Sequence, residues 1–334
     1  MATYSVGIDI GSKSIKLIEL MRQKSQFTLS AMGEIPVPFE LLKASNDDAL
    51  ASFSLYIKKL FKDSGCHIVD VCSALPSEKV STAFIDIPIM PDKELEYAMQ
   101  WEIRKHVVDY SEDKSATWDI VAKNEKFEVM IASTPKYIIS RYLNTIKNSG
   151  LNPISLEIEP ISLNRSLIEK DHSGVTAIIH IGVSFSVISI VENGVTRSIK
   201  NVKIGENEML FSMASFGKED YTRNLLYNFG ILKSKDQGKI HNIIKPIIEV
   251  IAFEFERLSK YYQEKSNKEI NRVLISGGCS QIPNIADLMS PMLSTEVSMG
   301  NAWQNINFPN NYDVDELTKV GPRFAVAVGL AMTQ

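Results

Sequence analysis

Cysteine is scarce in this chain, a basic excess is missing, and no apolar run is long enough to cross a bilayer. The three cysteines of the 334 residues, Cys66, Cys72 and Cys279, form an odd set without metal-ligand spacing. That argues against a cysteine-built metal site or disulfide framework. They read as small apolar fillers suited to a reducing cytosol. With 36 Lys and Arg against 40 Asp and Glu, the formal charge is -4, so we expect no nucleic-acid partner. The most apolar stretch, Ala177 to Val191, is too short for a span and carries His180 and several serines. Met1 to Ile10 lacks the basic flank and long apolar run of a signal peptide. We therefore expect a cytoplasmic protein that meets a membrane only through partners. Low-complexity tracts and disordered linkers are also missing.

What is present is 44% hydrophobic sequence, enough for two domain-sized cores. Val6-Gly7-Ile8-Asp9-Ile10 reads as a strand, Gly11-Ser12-Lys13-Ser14 as a tight turn, and Ile15 to Leu20 as a returning strand. Phe27, Leu29 and Ala31 alternate in a third strand. Ser45 precedes a helix with Asp48 three residues on, a capping-box arrangement, and Leu50, Phe53, Ile57 and Leu60 mark its apolar face. A buried strand follows around Ile68 to Ser73.

Residues 80–156 read as an inserted α+β unit of two helices against three or four strands. Its first helix starts at Pro91-Asp92 and turns Leu95, Met99, Ile103 and Val107 inward. Tyr97 and Trp101 sit on the opposite side and are candidates for a partner surface. A hairpin crosses Asn124-Glu125. A second helix runs from Thr134-Pro135 to Gly150, and Ile154 to Ile158 closes the unit as a strand.

The opening pattern then returns. Ile8-Asp9-Ile10-Gly11 is echoed 171 residues later by Ile179-His180-Ile181-Gly182, followed by a hairpin across Asn193-Gly194. A duplication on that scale implies two similar lobes. A mostly helical stretch, Glu206 to Glu264, ends in a long helix kinked or started near Pro246. Strand Arg272 to Ser276, the pair Gly277-Gly278, a helix after Pro283 and an apolar helix from Phe324 to Met332 complete the chain.

Five segments carry a family resemblance in chain order. Val6 to Leu17 resembles the first phosphate loop of actin-like ATPases. Leu274-Ile275-Ser276-Gly277-Gly278-Cys279-Ser280-Gln281-Ile282-Pro283 is similar to their adenosine motif. Lys203-Ile204-Gly205-Glu206-Asn207 resembles a Gly-Gly-Asn segment, with Ile204 in place of the first glycine. Ser149 to Pro153 resembles an Ala-Gly-Leu-x-Pro hinge, with Glu157-Ile158-Glu159 after it. Gly321 to Ala331 resembles the closing Ala-x-Gly-Leu-Ala helix. Together they resemble the PilM family of type IV pilus assembly proteins within the actin/FtsA-like superfamily.

The resemblance implies an α/β, actin-like (ribonuclease H-like) two-lobed fold with an inserted FtsA/PilM-type unit. The expected boundaries are 1–79, 157–175 and 322–334 for subdomain 1A, 80–156 for 1C, 176–204 and 265–321 for 2A, and 205–264 for 2B. It implies ATP with Mg²⁺ as the ligand of the interlobe cleft. The nucleotide and phosphate candidates are Asp9, Gly11, Ser12, Lys13, Ser14, Lys16, Gly182, Gly205, Glu206, Gly277, Gly278 and Cys279, with Asp9 holding Mg²⁺ through water. It implies as partners the cytoplasmic tail of a PilN-like inner-membrane protein, gripped between the inserted unit and the first lobe, and the pilus motor ATPases. A homo-oligomer is compatible with it.

The second phosphate loop departs from the family. His180 stands where an Asp is expected, and a neutral imidazole supplies no second carboxylate for hydrated Mg²⁺. We read His180 as a satisfied core histidine, the loop as degenerate, nucleotide binding as weakened and hydrolysis as unexpected. Registered on Gly230, the helix positions that usually bear a Glu and a Lys hold Arg223 and Leu226. Glu157 and Glu159 could act as a general base but read as residues flanking the hinge and capping the helix after Pro160.

Other assignments fit less well. A sugar or acetate kinase would need the second Asp. A type II secretion GspL module would continue into a membrane helix. A filament-forming FtsA-like protein would bear a C-terminal amphipathic helix. A Rossmann enzyme would need Gly-x-Gly-x-x-Gly leading into a helix.

Overall fold

Side chains alternate across a strand, so a strand apolar on both faces must be covered twice. β1 (Thr3–Ile10) is of this kind, buried from Ser5 to Asp9. It pairs antiparallel with β2 (Ser14–Gln23), which pairs with β3 (Gln26–Pro36). The computed structural model describes residues 2–38, 47–233, 238–310 and 312–333, with 47–50 as backbone only. Ser45, its capping box and the Leu50 side chain lie outside the described residues. α1 (Asp47–Asp63) turns Phe53, Ile57 and Leu60 onto Val6, Ile8, Ile15 and Leu17. β4 (Asp70–Leu75) then joins β1 in parallel.

The inserted unit comprises β5 (Ser81–Pro88), α2 (Asp92–His106), β6 (Lys114–Lys123) and β7 (Lys126–Pro135). Its sheet order is β5-β7-β6, and Leu95 and Met99 of α2 pack on Ile85, Phe127, Val129 and Ile131. Here the structure corrects the sequence reading. α3 (Lys136–Asn148) places Ile146 in the core beneath β1, and β8 (Asn152–Ile158) pairs parallel with β4. Both therefore complete the first sheet and do not belong to the inserted unit. Gly150, at φ 88°, makes the left-handed turn that returns the chain to that sheet.

α4 (Glu159–Leu167) leads into the second sheet. There β9 (Val175–Ile181), β10 (Ser186–Glu192) and β11 (Val195–Val202) repeat the opening meander. Asn193 and Gly194 take φ of 49° and 78° in the hairpin turn. α5 (Glu206–Ser212), α6 (Glu219–Phe229) and α7 (Lys239–Ser266) follow. The last begins before Pro246 and runs through it, so the helix does not start at that proline. β12 (Arg272–Ser276), α8 (Ile285–Leu293) and β13 (Val297–Met299) complete the lobe. β14 (Ile306–Asn307) returns to the edge of the first sheet, and α9 (Val314–Ala331) closes the fold.

The sheet orders are β14-β3-β2-β1-β4-β8 and β11-β10-β9-β12-β13. In each, an antiparallel three-strand meander is followed by two parallel strands. The two sheets share one helical layer. Leu163 and Leu167 of α4 and Phe324 to Ala331 of α9 pack against Ile18 and Cys72 on one side and Ile178, Val191 and Leu274 on the other. α1 and α3 cover the outside of the first sheet; α5 to α8 cover the second.

The crossing of α4 and α9 leaves no spare space. A Cβ on Gly329 would lie 1.9 Å from the Ser162 carbonyl oxygen. Gly329→Val is expected to destabilise the protein by about 3 kcal/mol or to prevent folding, read as a fall in the urea midpoint.

Candidate functional site

β1 and β9 end on the same side of the shared helical layer, and there the lobes enclose a cleft of about 670 Å³. From the first lobe, Asp9, Gly11, Ser12, Lys13, Ser14 and Lys16 line it. From the second come His180, Gly182, Glu206, Gly277, Gly278 and Cys279. Gly205 stands at the head of α5, where its N–H donates to Glu208 Oε2 at 2.8 Å, and does not line the cleft. Tyr97 and Trp101 are outside it on the outer face of α2, 70% and 72% exposed.

The two loops have matching turns. Gly11 N–H donates to Ser14 O at 3.1 Å, and Gly182 N–H donates to Phe185 O at 3.0 Å. Gly277 takes φ 91°, and a Cβ there would lie 2.4 Å from the Ile181 carbonyl oxygen. Only glycine lets the β12–α8 connection pass so close to the end of β9.

The charges are arranged in pairs. Lys16 Nζ donates to Asp9 Oδ2 at 3.4 Å. Lys13 of the first lobe pairs with the buried Glu206 of the second, which also accepts from Arg223 Nε at 3.2 Å. Arg323 NH2 lies 2.9 Å from Glu34 Oε2. His180 Nδ1 is 3.0 Å from Ser276 Oγ. Burial pushes its pKa down to about 4 against the attraction of Asp9, so the ring is neutral at pH 7. His180 is partnered as expected, but on the cleft wall and not within the core.

Glu157 and Glu159, equal candidates by sequence, separate. Glu157 forms a two-oxygen ion pair with Arg165, away from the cleft. Glu159 opens α4, lines the cleft and accepts a hydrogen bond from Ser77 Oγ. Burial pushes its pKa up to about 7. The Ser77 bond opposes that shift and the Asp9 charge adds to it. On α6, Arg223 lines the cleft, whereas Leu226 is buried in the second core and Tyr227 takes the wall. Sequence reading did not find Ser77, Tyr142 or Tyr227, because no motif marks them and only tertiary packing brings them here.

A sequence profile described as type IV pilus assembly protein PilM matches residues 7–334. The chain belongs to the PilM family. Among solved structures, the PilM-family chain is similar to one described as a PilM–PilN type IV pilus biogenesis complex. The TM-score is 0.86 at 20% identity, over 98% of this chain and 97% of that one. It is also similar to the ethanolamine utilization protein EutJ from Carboxydothermus hydrogenoformans, with a TM-score of 0.60 at 14% identity over 99% and 90% of the chains. MreB5 of Spiroplasma citri bound to ADP gives 0.53 at 11% identity over 99% and 96%. The fold is thus the actin-like ATPase fold. Among the described residues of this PilM relative, no helix is long and apolar enough to cross a membrane.

The raised pKa of Glu159 has a definite sign. The folded state binds the proton more tightly than the unfolded one, so this contribution to stability is full below about pH 4.5 and is lost as pH rises through about 7. Glu159→Gln keeps the shape without the charge. It is expected to be more stable than the parent by about 2 kcal/mol at pH 8, with the gap closed near pH 4.5, in urea titrations at both pH values.

Proposed function

We propose that this protein is a scaffold of the cytoplasmic side of the type IV pilus inner-membrane platform. It binds the N-terminal cytoplasmic tail of a PilN-like membrane protein and couples it to the pilus motor ATPases. ATP is a weakly held ligand and not a substrate. The observation that carries this reading is the pairing of Asp9 with a neutral His180 across the cleft. A hydrated Mg²⁺ between phosphates is held by oxygen ligands, and here one lobe offers an imidazole tied to Ser276. The turns at Gly11 and Gly182 suit phosphate oxygens, and Gly277, Gly278 and Tyr227 suit the nucleoside. The phosphates must also draw Lys13 from Glu206.

The first-lobe end of the cleft supports the tail reading. Phe53 of α1 and Ile138, Tyr142 and Thr145 of α3 line it, beside the turn that enters the inserted unit. This wall would take an apolar side chain of an extended peptide. The likeness to a solved PilM–PilN complex supports such a partner.

Equilibrium titration with fluorescent ATP tests the nucleotide part. Mg²⁺ is expected to change the parent's Kd by less than about threefold. His180→Asp is expected to bind about tenfold more tightly with Mg²⁺ and unchanged without it, a difference of about 1.4 kcal/mol. Turnover by the parent at rates of about one per second would sink the adaptor reading. Capture of a synthetic PilN-tail peptide that survives Asp9→Ala would separate adaptor from ATP switch.

A second reading rests on Glu159. A carboxyl titrating near neutrality beside Asp9 is suited to take a proton from an attacking water. Turnover that Glu159→Gln abolishes, with nucleotide affinity intact, would favour it.

A further inference from the structure

The second lobe carries a buried carboxylate that reaches across to the first. α5 begins against the turn at residues 182–185, where a Cβ on Gly205 would lie 2.4 Å from the Val183 carbonyl oxygen. Just beyond it, Glu206 N–H donates to Gly182 O at 3.1 Å and Asn207 N–H donates to Val183 O at 2.9 Å. Asn207 Nδ2 adds a bond to Ser184 Oγ at 3.0 Å. These bonds fix the backbone of Glu206 on the second of the two glycine turns. Its side chain is only 4% exposed and meets the first turn. Glu206 Oε2 accepts from Lys13 Nζ, and Oε1 accepts from Arg223 Nε at 3.2 Å. A carboxylate therefore stands between the two turns that suit phosphate oxygens.

Both lysines beside the first turn are already matched, but unequally. Lys16 faces Asp9 at 3.4 Å, and the two are cross-strand neighbours on β1 and β2. The partner of Lys13 comes from the other lobe and is almost fully buried. Hydrogen bonds between charged, desolvated groups are the stronger kind. A phosphate oxygen that took Lys13 would replace a carboxylate oxygen of like charge. It would also leave Glu206 to Arg223, whose guanidinium is shared with Glu219 and, at 3.5 Å, with Asp220. Such an exchange gains only the difference between two similar ion pairs. At the nucleoside end, Gly277 and Gly278 offer backbone, which a base can meet without breaking an ion pair.

We propose that Glu206 is a specificity-determining residue, an internal anion that holds the phosphate subsite at Lys13, so that the cleft selects its ligand by the nucleoside and gains little from the phosphate chain. The inference deepens the reading of the cleft as a nucleotide site and rests on it. It bears on what the ligand can signal. ATP, ADP and adenosine share the part that is recognised and differ in the part that is resisted. A cleft of this kind registers that a nucleoside is present and not how many phosphates it bears. A ligand shifts a protein equilibrium only through differential affinity, and between ATP and ADP that difference is small here.

Two measurements on the full-length protein test this. The first needs no ligand. Lys13→Met and Glu206→Gln, singly and together, are compared by urea unfolding. If the two side chains hold each other, their losses overlap. The double variant is then expected to shift the urea midpoint by less than the sum of the single shifts. Strictly additive shifts overturn the proposal.

The second measurement is the Kd of adenosine, ADP and ATP without Mg²⁺. In the parent the three are expected to agree within about fivefold. Glu206→Gln keeps the shape and removes the charge. It is expected to tighten ATP about tenfold while adenosine stays within about twofold. Lys13→Met is expected to weaken ATP by less than about threefold in the parent and to abolish the gain in Glu206→Gln. ATP held more than about tenfold more tightly than adenosine by the parent, or bound no better by Glu206→Gln, overturns the proposal. Should Glu206→Gln not fold, the parent comparison and Lys13→Met decide, since removing a free phosphate-loop lysine would weaken ATP by more than about tenfold. A parent that binds none of the three refutes the reading of the cleft instead. Inorganic triphosphate bound by Glu206→Gln and not by the parent then still supports the internal anion, and failure of both to bind it overturns the proposal.

Discussion

The close crossing of α4 and α9 is the contact on which the rest of this molecule depends. It fills the space between two sheets with one layer of helices and leaves no second layer that could slide. Because α9 touches both β1 and β12, the ends of equivalent strands face each other across one cleft. Because α4 begins at the cleft, the same crossing sets the height of Glu159. The site follows from how closely two helix backbones approach.

The cleft is a balanced arrangement of charge and not an open anion trap. Asp9 is matched by Lys16, Glu34 by Arg323, and Glu206 by Lys13 and Arg223. A phosphate ligand would enter such a site by exchange, and its net gain would be smaller than the number of cations suggests. The neutral imidazole of His180 fits this economy of charge, since a second carboxylate there would have to share Lys16 with Asp9.

Much of the fold was legible because it rests on local rules. The Asn193-Gly194 turn, the strand ended by Asp9 and its echo at His180 follow from periodicity and turn chemistry. The site was legible only where glycine motifs mark loops. The assignments that changed share one cause: periodicity reports that a residue is buried but not what buries it. α3 and β8 carry apolar patterns that would suit either the inserted unit or the first sheet, and only the pairing of β8 with β4 decides. Glu157 and Glu159 differ by two positions, yet one faces Arg165 and the other the cleft, because a strand gives way to a helix between them. Leu226 and Tyr227 exchange roles through a helix rotation of about 100° per residue.

The path of the chain has a consequence for synthesis on the ribosome. The first sheet receives its edge strand β14 and its inner cover α9 from residues 306–331, after the whole second lobe has been made. Until then Ile18, Leu20, Leu29 and Cys72 await the helix that will cover them. The nascent amino-terminal half is thus a half-covered sheet with an apolar face open to other chains, the kind of intermediate that chaperones shield. The two lobes resemble one another, yet both rely on α9 for the cover of their facing sides.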